Sequence, residues 1–460
     1  MLRTLQWLTQ PLNVWDDSAG YLPGNGFELP KDPTISFNKV DFTGENAFRP
    51  WPITLLYALM PTLTLRAFLQ FAISTFAFLF FAYVIYKLRL NPIAKNSLTL
   101  TILTFGLLNE VAGWDRHFGR ESFSISILVL VISLFFRIKF SELQPKTSDF
   151  LIISFSSTLL LLVKPTNLPF VLCILLSSIH TFKNKRSPIA VVLLSIIFAL
   201  TILYPISYAQ KSDRAWMKII DVSTTELGFS YITSSFNPES EYLLKNLYKD
   251  APACISYLMP TDSSENLAAP FEVIELRRTF CPEYSEWVND KWNLWYMKFI
   301  AKNPLYAISL LKDTMQTSLQ PLNVYGGSLV IPRALKELVV PSDSSNRRTN
   351  FDPLWVQSLI IFSMFLMTFL FGRLKTIVVL IDRGIEFMFI KNSMILVVGL
   401  LVSVGFGNLM LPTHQTDLSR IGTSGAIGIR ILLYLIFLLV VFNANRIFFI
   451  RSGGHNNTAK

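Results

Sequence analysis

The chain has 460 residues, of which 51% are hydrophobic and 16% are charged, whereas an average soluble domain has about 25% charged residues. Its apolar residues are also gathered in long runs, so the composition excludes a soluble globular protein. The net charge of +10 does not indicate a nucleic-acid partner, because it is mostly explained by an excess of basic residues in the short loops on one predicted side of a membrane.

Nine apolar runs predict transmembrane helices, because each can cross, or help to cross within a bundle, a hydrocarbon core about 30 Å thick. In chain order they are residues 67–86, 97–113, 122–138, 150–163, 168–182, 188–208, 354–372, 393–411 and 427–450. The predicted fold is therefore an all-α polytopic membrane bundle.

Lys and Arg residues are retained on the cytoplasmic side of a membrane, which orients the predicted spans. If Asp16 lies outside, the short cytoplasmic segments carry 16 Lys and Arg residues, whereas the short outer loops carry four. This orientation divides the chain into a first extracytoplasmic loop with membrane-surface helices (1–65), an N-terminal transmembrane bundle (66–208), an extracytoplasmic domain (209–353), C-terminal transmembrane helices (354–450) and a cytoplasmic tail (451–460). We expect the domain at 209–353 to be small and either α-rich or α/β.

An outer Asp16 requires a membrane crossing before it, and residues 1–12 are too short to provide one. We expect either a first helix encoded upstream of this sequence or a short interfacial helix in residues 1–12. A further short helix is predicted at 51–60, between two prolines, and two more at 287–300 and 304–319 in the outer domain.

Cys254 and Cys281 both fall in the predicted outer domain, where the surroundings are oxidising. A disulfide between them would stabilise the folded state by about 3 kcal/mol in the chain-entropy model. The sequence has no spacing of Cys and His typical of a structural zinc site, no glycine-rich phosphate loop and no nucleophile elbow. These absences argue against an enzyme that uses a nucleotide.

Two adjacent carboxylates, Asp16 and Asp17, begin the first outer loop. A carboxylate at the boundary between water and membrane is ionised at neutral pH, and partial desolvation would raise its pKa and suit it to accept a proton from a hydroxyl. The alternative is a helix cap or turn, since Asp-Asp-Ser is also good capping sequence.

A second candidate site is the short link 109–122 between two predicted spans. It contains Asp115, His117 and Glu121, together with Glu110 inside an apolar run, where a charge is costly and is usually functional or paired. The alternative is a solvated loop.

A third candidate is the segment 411–420, which contains His414, Asp417 and Arg420. The guanidinium of Arg420 suits a phosphate, and Lys164 and Arg49 would add positive charge on the same face. Each of these cations alone could equally anchor a lipid headgroup, but together they predict an anion site on the outer leaflet.

Several short motifs together resemble those of a known class of membrane enzymes. They are Asp17-Ser18-x-x-Tyr21-Leu22, Arg49-Pro50-Trp51-Pro52-Ile53, Gly119-Arg120-Glu121-Ser122, Lys164-Pro165-Thr166-Asn167 and the acidic-x-x-Arg element from Asp417 to Arg420. This set resembles the GT-C class of membrane glycosyltransferases, in particular protein O-mannosyltransferases and aminoarabinose transferases. The first transmembrane helix of that class is not visible in this sequence, and the middle of 209–353 matches no pattern of the class.

The resemblance implies a bundle in the cell (cytoplasmic or inner) membrane with an extracytoplasmic active site and a sugar donor carried on polyprenyl phosphate. Asp17, or else Asp16, would be the general base, and Glu121 and His117 would orient the acceptor or the base. Arg420, Lys164 and Arg49 would stabilise the donor phosphate, an effect of about 3 kcal/mol per donor.

The same resemblance places three further residues, Asp115, His414 and Asp417, near the acceptor. That acceptor would be an envelope glycan, lipid or protein. No cofactor is required by the sequence, although Asp17, Glu121 and His117 could supply ligands to a divalent metal.

Three other classes fit parts of the pattern. A polymerase or ligase of surface polysaccharide also has many spans and a large outer loop, but it would not need an early pair of carboxylates. A transporter would carry ionisable residues near the membrane midplane and paired broken helices, whereas the charges here cluster at the outer rim. A membrane scaffold without catalysis is the remaining alternative.

Overall fold

The computed structural model describes residues 2–9, 51–60, 62–88, 90, 92–140, 146–182, 246, 249–250, 252–253, 283, 295–319, 385–410 and 422–440. These residues form helices and short connecting turns, with no β-strand in the described part of the chain. The helical fold predicted from the sequence is confirmed to this extent.

The helices are named in chain order. They are α1 (Leu2–Thr9), α2 (Trp51–Ala58), α3 (Leu63–Tyr86), α4 (Pro92–Leu107), α5 (Asn109–Ala112), α6 (Glu121–Phe140), α7 (Thr147–Val163), α8 (Leu168–Phe182), α9 (Trp295–Lys302), α10 (Pro304–Ser318), α11 (Ile385–Met410) and α12 (Gly422–Val440). Two 3₁₀ turns, Gly113–Arg116 and Pro165–Asn167, precede α6 and α8.

Four helices in the described residues, α3, α6, α11 and α12, are long and apolar enough to cross a membrane. The chain is therefore a membrane-embedded helical protein. Helices also lie at the predicted spans 97–113, 150–163 and 168–182, although α4 ends at Leu107, before the end of the predicted run. The runs 188–208 and 354–372 lie outside the described residues, so the total of nine spans and their orientation stay predictions.

Helices α3 and α6 pack against each other and connect the other N-terminal helices of the bundle. Helix α3 packs against α4 and α6, and α6 packs in turn against α7. Helix α12 approaches α6 and α11 closely through glycines, because Gly428 faces Leu128, Ile132 and Leu400. Small residues permit such close approach of membrane helices, where dispersion contacts replace the hydrophobic driving force.

The two ends of the bundle differ in chemistry. At one end the rings of Phe81, Phe136 and Phe389 form a continuous stack, with centroids 5.9 and 4.6 Å apart. At the other end lies the polar hairpin of residues 108–120, which joins α4 to α6; we call this the hairpin end. Helix α7 returns to the hairpin end because it is antiparallel to α6, so Lys164, which follows α7, lies at the same end as Glu121.

Helix α10, which belongs to the predicted domain at 209–353, packs alongside α11. Its Leu311 and Met315 lie against Gly405, and the Ser318 hydroxyl donates to Asn408 Oδ1 at 2.7 Å. Its bounds agree with the predicted helix at 304–319, and α9 covers the end of the predicted helix at 287–300. Most of the predicted outer domain lies outside the described residues.

Candidate functional site

Two parts of the chain that were singled out separately in the sequence approach each other and the start of α12 at the hairpin end. The two parts are the end of the hairpin at Glu121 and the turn that begins at Lys164. Lys164 connects all three, because its Nζ donates to the Ser424 hydroxyl at 3.3 Å and it interacts electrostatically with Arg120 and Glu121. This convergence defines the candidate site.

Lys164 is a buried cation with a strongly altered acidity. Its residue is only 3% exposed, and burial lowers the pKa of the ammonium to about 7. The positive charge of Arg120 lowers this pKa further, whereas the negative charge of Glu121 raises it. Lys164 therefore changes charge near neutral pH instead of remaining positive at all physiological pH values.

Glu121 and His117 lie on either side of Gly119. A Cβ added at Gly119 would be 2.6 Å from Glu121 Oε2, so it would displace that carboxylate, whereas at 3.6 Å from His117 Nε2 it would make only an ordinary contact. Arg120 Nε is 3.8 Å from Glu121 Oε1. The hairpin thus holds a carboxylate, an imidazole and a guanidinium within one small volume.

The His117 imidazole is buried, with the Trp114 ring edge-on at 5.0 Å. Burial lowers the pKa of His117 to about 4, because the apolar surroundings disfavour the imidazolium. His117 is therefore neutral at pH 7 and has one nitrogen that donates and one that accepts a hydrogen bond.

Asp115 belongs to a different part of the hairpin, although only a few residues separate it from Glu121. Arg3 Nη2 lies 2.8 Å from Asp115 Oδ2, and the Ser122 hydroxyl donates to Oδ1 at 3.0 Å. Arg3 also donates to the Gly106 carbonyl and the Ser74 hydroxyl. Burial raises the pKa of Asp115, and the charge of Arg3 and the Ser122 hydrogen bond oppose that rise. Asp115 is thus part of a buried ion pair.

Helix α1 is attached to the hairpin by a second arginine. Arg116 Nη1 donates to the Trp7 carbonyl at 2.8 Å, and the guanidinium lies over the Trp7 ring at 5.1 Å. The Trp7 ring in turn packs on Phe68 and Phe71 of α3. The residues predicted to form a short interfacial helix are thus helical, and they pack against the candidate site.

Two residues near the site were not predicted from the sequence. Gln70 on α3 and Tyr57 on α2 are fully buried, and both hydrogen-bond to the hairpin backbone. A polar residue inside an apolar span is the signal that would have identified Gln70.

The other predicted site residues lie outside the described residues. They are Asp16, Asp17, Arg49, His414, Asp417, Arg420, Cys254 and Cys281. Of the side chains proposed as metal ligands, Glu121 and His117 are brought together. The described residues contain no group of three or more His, Cys, Asp or Glu side chains that could hold a metal ion.

The arrangement offers two chemical capacities side by side. A buried lysine with Arg120 nearby can bind an anion, and an adjacent carboxylate and neutral imidazole can bind or orient hydroxyl groups. No protein-family model, curated protein or solved structure matches the chain.

Proposed function

We propose that the protein is a GT-C-like integral membrane glycosyltransferase. It transfers a sugar from a polyprenyl-phosphate donor to an acceptor in the cell envelope, on the outer face of the cytoplasmic membrane. In this proposal the bundle has nine spans, the hairpin end faces outward, and residues 209–353 form the extracytoplasmic domain.

The observation that supports this proposal most is the meeting of Lys164, Glu121 and Arg120. Two motifs of the resemblance are distant in sequence, Gly119-Arg120-Glu121-Ser122 and Lys164-Pro165-Thr166-Asn167. The charge of Arg120 nevertheless lowers the pKa of Lys164, and the charge of Glu121 raises it. A third motif, Asp417 to Arg420, lies in the sequence just before Ser424, whose hydroxyl accepts a hydrogen bond from Lys164.

The proposed reaction is a single displacement with inversion at the anomeric carbon. The Asp17 carboxylate removes the proton from the acceptor hydroxyl, and the acceptor oxygen forms a bond to the anomeric carbon. The bond from that carbon to the phosphate oxygen breaks, and polyprenyl phosphate leaves with the bonding electrons. Lys164, Arg420 and Arg49 stabilise the negative charge that grows on the leaving phosphate. Glu121 and His117 orient the acceptor.

The proposal is tested with radiolabelled polyprenyl-phosphate sugars in membranes that contain the wild type, Asp16→Asn or Asp17→Asn. General-base catalysis contributes roughly 10²- to 10⁴-fold, so Asp17→Asn should lower transfer by that factor while insertion into the membrane is unchanged. The Asp16→Asn variant is the matched control and should retain transfer. A wild type that transfers no sugar from a panel of donors would refute the function, and an active Asp17→Asn variant would refute the role of Asp17.

A methyl group at Gly119 should reduce transfer by displacing the Glu121 carboxylate. The added Cβ of Gly119→Ala would lie 2.6 Å from Glu121 Oε2, which is closer than the two atoms can approach, so the carboxylate must move. A misplacement of about 1 Å can reduce a rate roughly 100-fold. We expect a loss of ten-fold or more in kcat, measured in the same transfer assay.

Gly405→Ala is the control for this substitution. A Cβ at Gly405 would make ordinary contacts, at 3.5 Å from Leu311 and 3.8 Å from Met315, so this variant should keep its kcat within two-fold of the wild type. Equal kcat values for the Gly119→Ala variant and the wild type would remove Glu121 from the proposed site.

A further inference from the structure

The backbone of the hairpin presents a row of carbonyl groups to α2 and α3. Gln70 Nε2 donates to the carbonyl oxygens of Asp115 and His117, both at 3.1 Å. The Tyr57 hydroxyl lies 3.3 Å from the carbonyl oxygen of Gly119. These carbonyls belong to alternate residues, and His117 is extended at φ −100° and ψ 125°. The end of the 3₁₀ turn and the residues that follow it thus direct the carbonyl oxygens of Asp115 and His117 toward Gln70.

Gln70 is held in a single orientation by Tyr57. The Tyr57 hydroxyl donates to Gln70 Oε1 at 2.9 Å, which leaves Nε2 to face the hairpin. A phenol has one hydrogen to donate, and the distance to Gln70 Oε1 is shorter than that to Gly119. The Gln70 amide uses both hydrogens and its oxygen, so this fully buried side chain is satisfied.

The segment that Gln70 holds is the one that locates the two candidate acceptor-binding groups. His117 lies within the segment, and the Glu121 carboxylate rests against Gly119 at its end. The Tyr57 ring also packs on this region, with its centroid 6.0 Å from that of the Phe118 ring and 5.9 Å from that of the Phe123 ring. A shift of the segment would therefore move His117 and Glu121 together.

We infer that Gln70 is a positioning residue of the proposed transfer reaction, which keeps the His117 imidazole and the Glu121 carboxylate in place by binding the carbonyls of residues 115 and 117. The inference rests on the proposed function. Gln70 does not contact either reactant, and it affects the reaction only by holding the hairpin backbone in position.

The test compares Gln70→Met with the wild type in the transfer assay. Methionine has a similar length but donates no hydrogen bond, so the carbonyls of residues 115 and 117 lose their donor. The expected result is a fall in kcat of ten-fold or more with a KM for the donor within two-fold of the wild-type value. Asn392→Met is the matched control, because Asn392 is also a buried amide but donates to Met388 of its own helix, and its kcat should stay within two-fold.

A double variant separates positioning from a general loss of stability. If Gln70 and Gly119 both act on the position of Glu121, adding Gln70→Met to Gly119→Ala should reduce kcat by less than three-fold. Multiplicative losses in the double variant, or a wild-type kcat in Gln70→Met, would overturn the inference.

Tyr57→Phe decides the question if Gln70→Met fails to accumulate in membranes. It keeps the ring contacts and removes only the hydroxyl that orients Gln70, so kcat should fall at least three-fold at constant KM. An unchanged kcat in Tyr57→Phe overturns the inference in that case. A wild type without transfer activity refutes the proposed function itself, whereas an active wild type that is insensitive to these substitutions refutes only the role of Gln70.

Discussion

Replacing Lys164 with methionine should weaken binding of the polyprenyl-phosphate donor about 10- to 100-fold at pH 6.5, because a hydrogen bond to a charged group contributes about 1.5–3 kcal/mol. Lys164 is buried at the hairpin end, where the Ser424 hydroxyl accepts from its ammonium. A charged group in such a site is weakly screened by water and salt, so its effect on an anion should be large.

The pKa of Lys164 determines how donor binding should depend on pH. Burial lowers the pKa of Lys164 to about 7, so the ammonium is charged below that pH and becomes neutral as the pH rises through it. If only the charged form binds the donor phosphate, the apparent Kd increases by the inverse of the charged fraction. Between pH 6.5 and pH 8 this corresponds to a loss of about eight-fold in affinity.

The measurement is the binding constant of polyprenyl phosphate to the protein in nanodiscs from about pH 6 to pH 9. Lys164→Arg is the matched control, because a guanidinium stays protonated throughout this range and should remove the contribution of Lys164 to the pH profile. Subtracting the pH profile of Lys164→Arg from that of the wild type also removes the effect that titration of the phosphate itself has on binding. Glu121→Gln should move the midpoint to lower pH, since the charge of Glu121 raises the pKa of Lys164. Identical profiles for wild type and Lys164→Arg would contradict the prediction.

Hydropathy located the helices in the described part of the chain, but it misplaced several of their boundaries. Helix α11, for example, begins at Ile385 instead of the predicted residue 393. The apolar run at 97–113 predicted one continuous helix, whereas α4 ends at Leu107 and the chain then turns through α5 and a 3₁₀ turn. Val111, Ala112 and Trp114 in that turn are buried among the helices. These apolar residues pack a folded link inside the bundle, and a hydropathy profile does not distinguish that role from spanning.

The start of α12 was missed for the opposite reason. The predicted run began at residue 427, whereas the helix begins at Gly422. Its first turn, Gly-Thr-Ser-Gly, has low hydropathy but packs closely, and a Cβ added at Gly422 would overlap the carbonyl oxygen of Ser318. Small residues favour helix contacts in a membrane without adding to the apolar signal.

Residue chemistry identified the hairpin and Lys164, but it could not assign a partner to each side chain. Both Asp115 and Glu121 were predicted as site residues of the same link, yet Asp115 faces Arg3 whereas Glu121 lies by Gly119 and Arg120. No role was predicted for Arg3 from the sequence. Its partners on α4, α3 and the hairpin are distant in sequence, so only the packing of α1 reveals its role.

The ion pair between Arg3 and Asp115 should contribute strongly to the stability of the fold. Both side chains are buried, so removing one partner leaves a charge that neither water nor a counterion compensates. Such a substitution usually costs about 3–5 kcal/mol, whereas replacing both partners is often neutral. We expect Arg3→Met to lower the thermal stability of the protein in detergent strongly, and the double variant Arg3→Met, Asp115→Asn to recover most of the loss.

The ion pair between Arg137 and Asp149 provides the control. Its charged atoms are 3.1 Å apart, and the Arg137 side chain is 43% exposed, although the Asp149 side chain is only 10% exposed. Because water reaches the Arg137 end of the pair and the Lys146 N–H also donates to Asp149, Arg137→Met should cost much less stability than Arg3→Met. This comparison separates the effect of burial from the effect of losing an arginine.

The pH dependence of the stability of the Arg3→Met variant gives an independent test of the role of Asp115. Burial raises the pKa of Asp115, and Arg3 opposes that rise, so removing Arg3 should raise it further. A carboxyl group whose pKa is higher in the folded state stabilises the fold below its unfolded pKa, and this contribution is lost as the pH rises through the folded value. Arg3→Met should therefore lose stability relative to the wild type as the pH rises, and Arg3→Met, Asp115→Asn should not. If the two variants unfold at the same temperature at every pH, Asp115 is not the charge that Arg3 compensates.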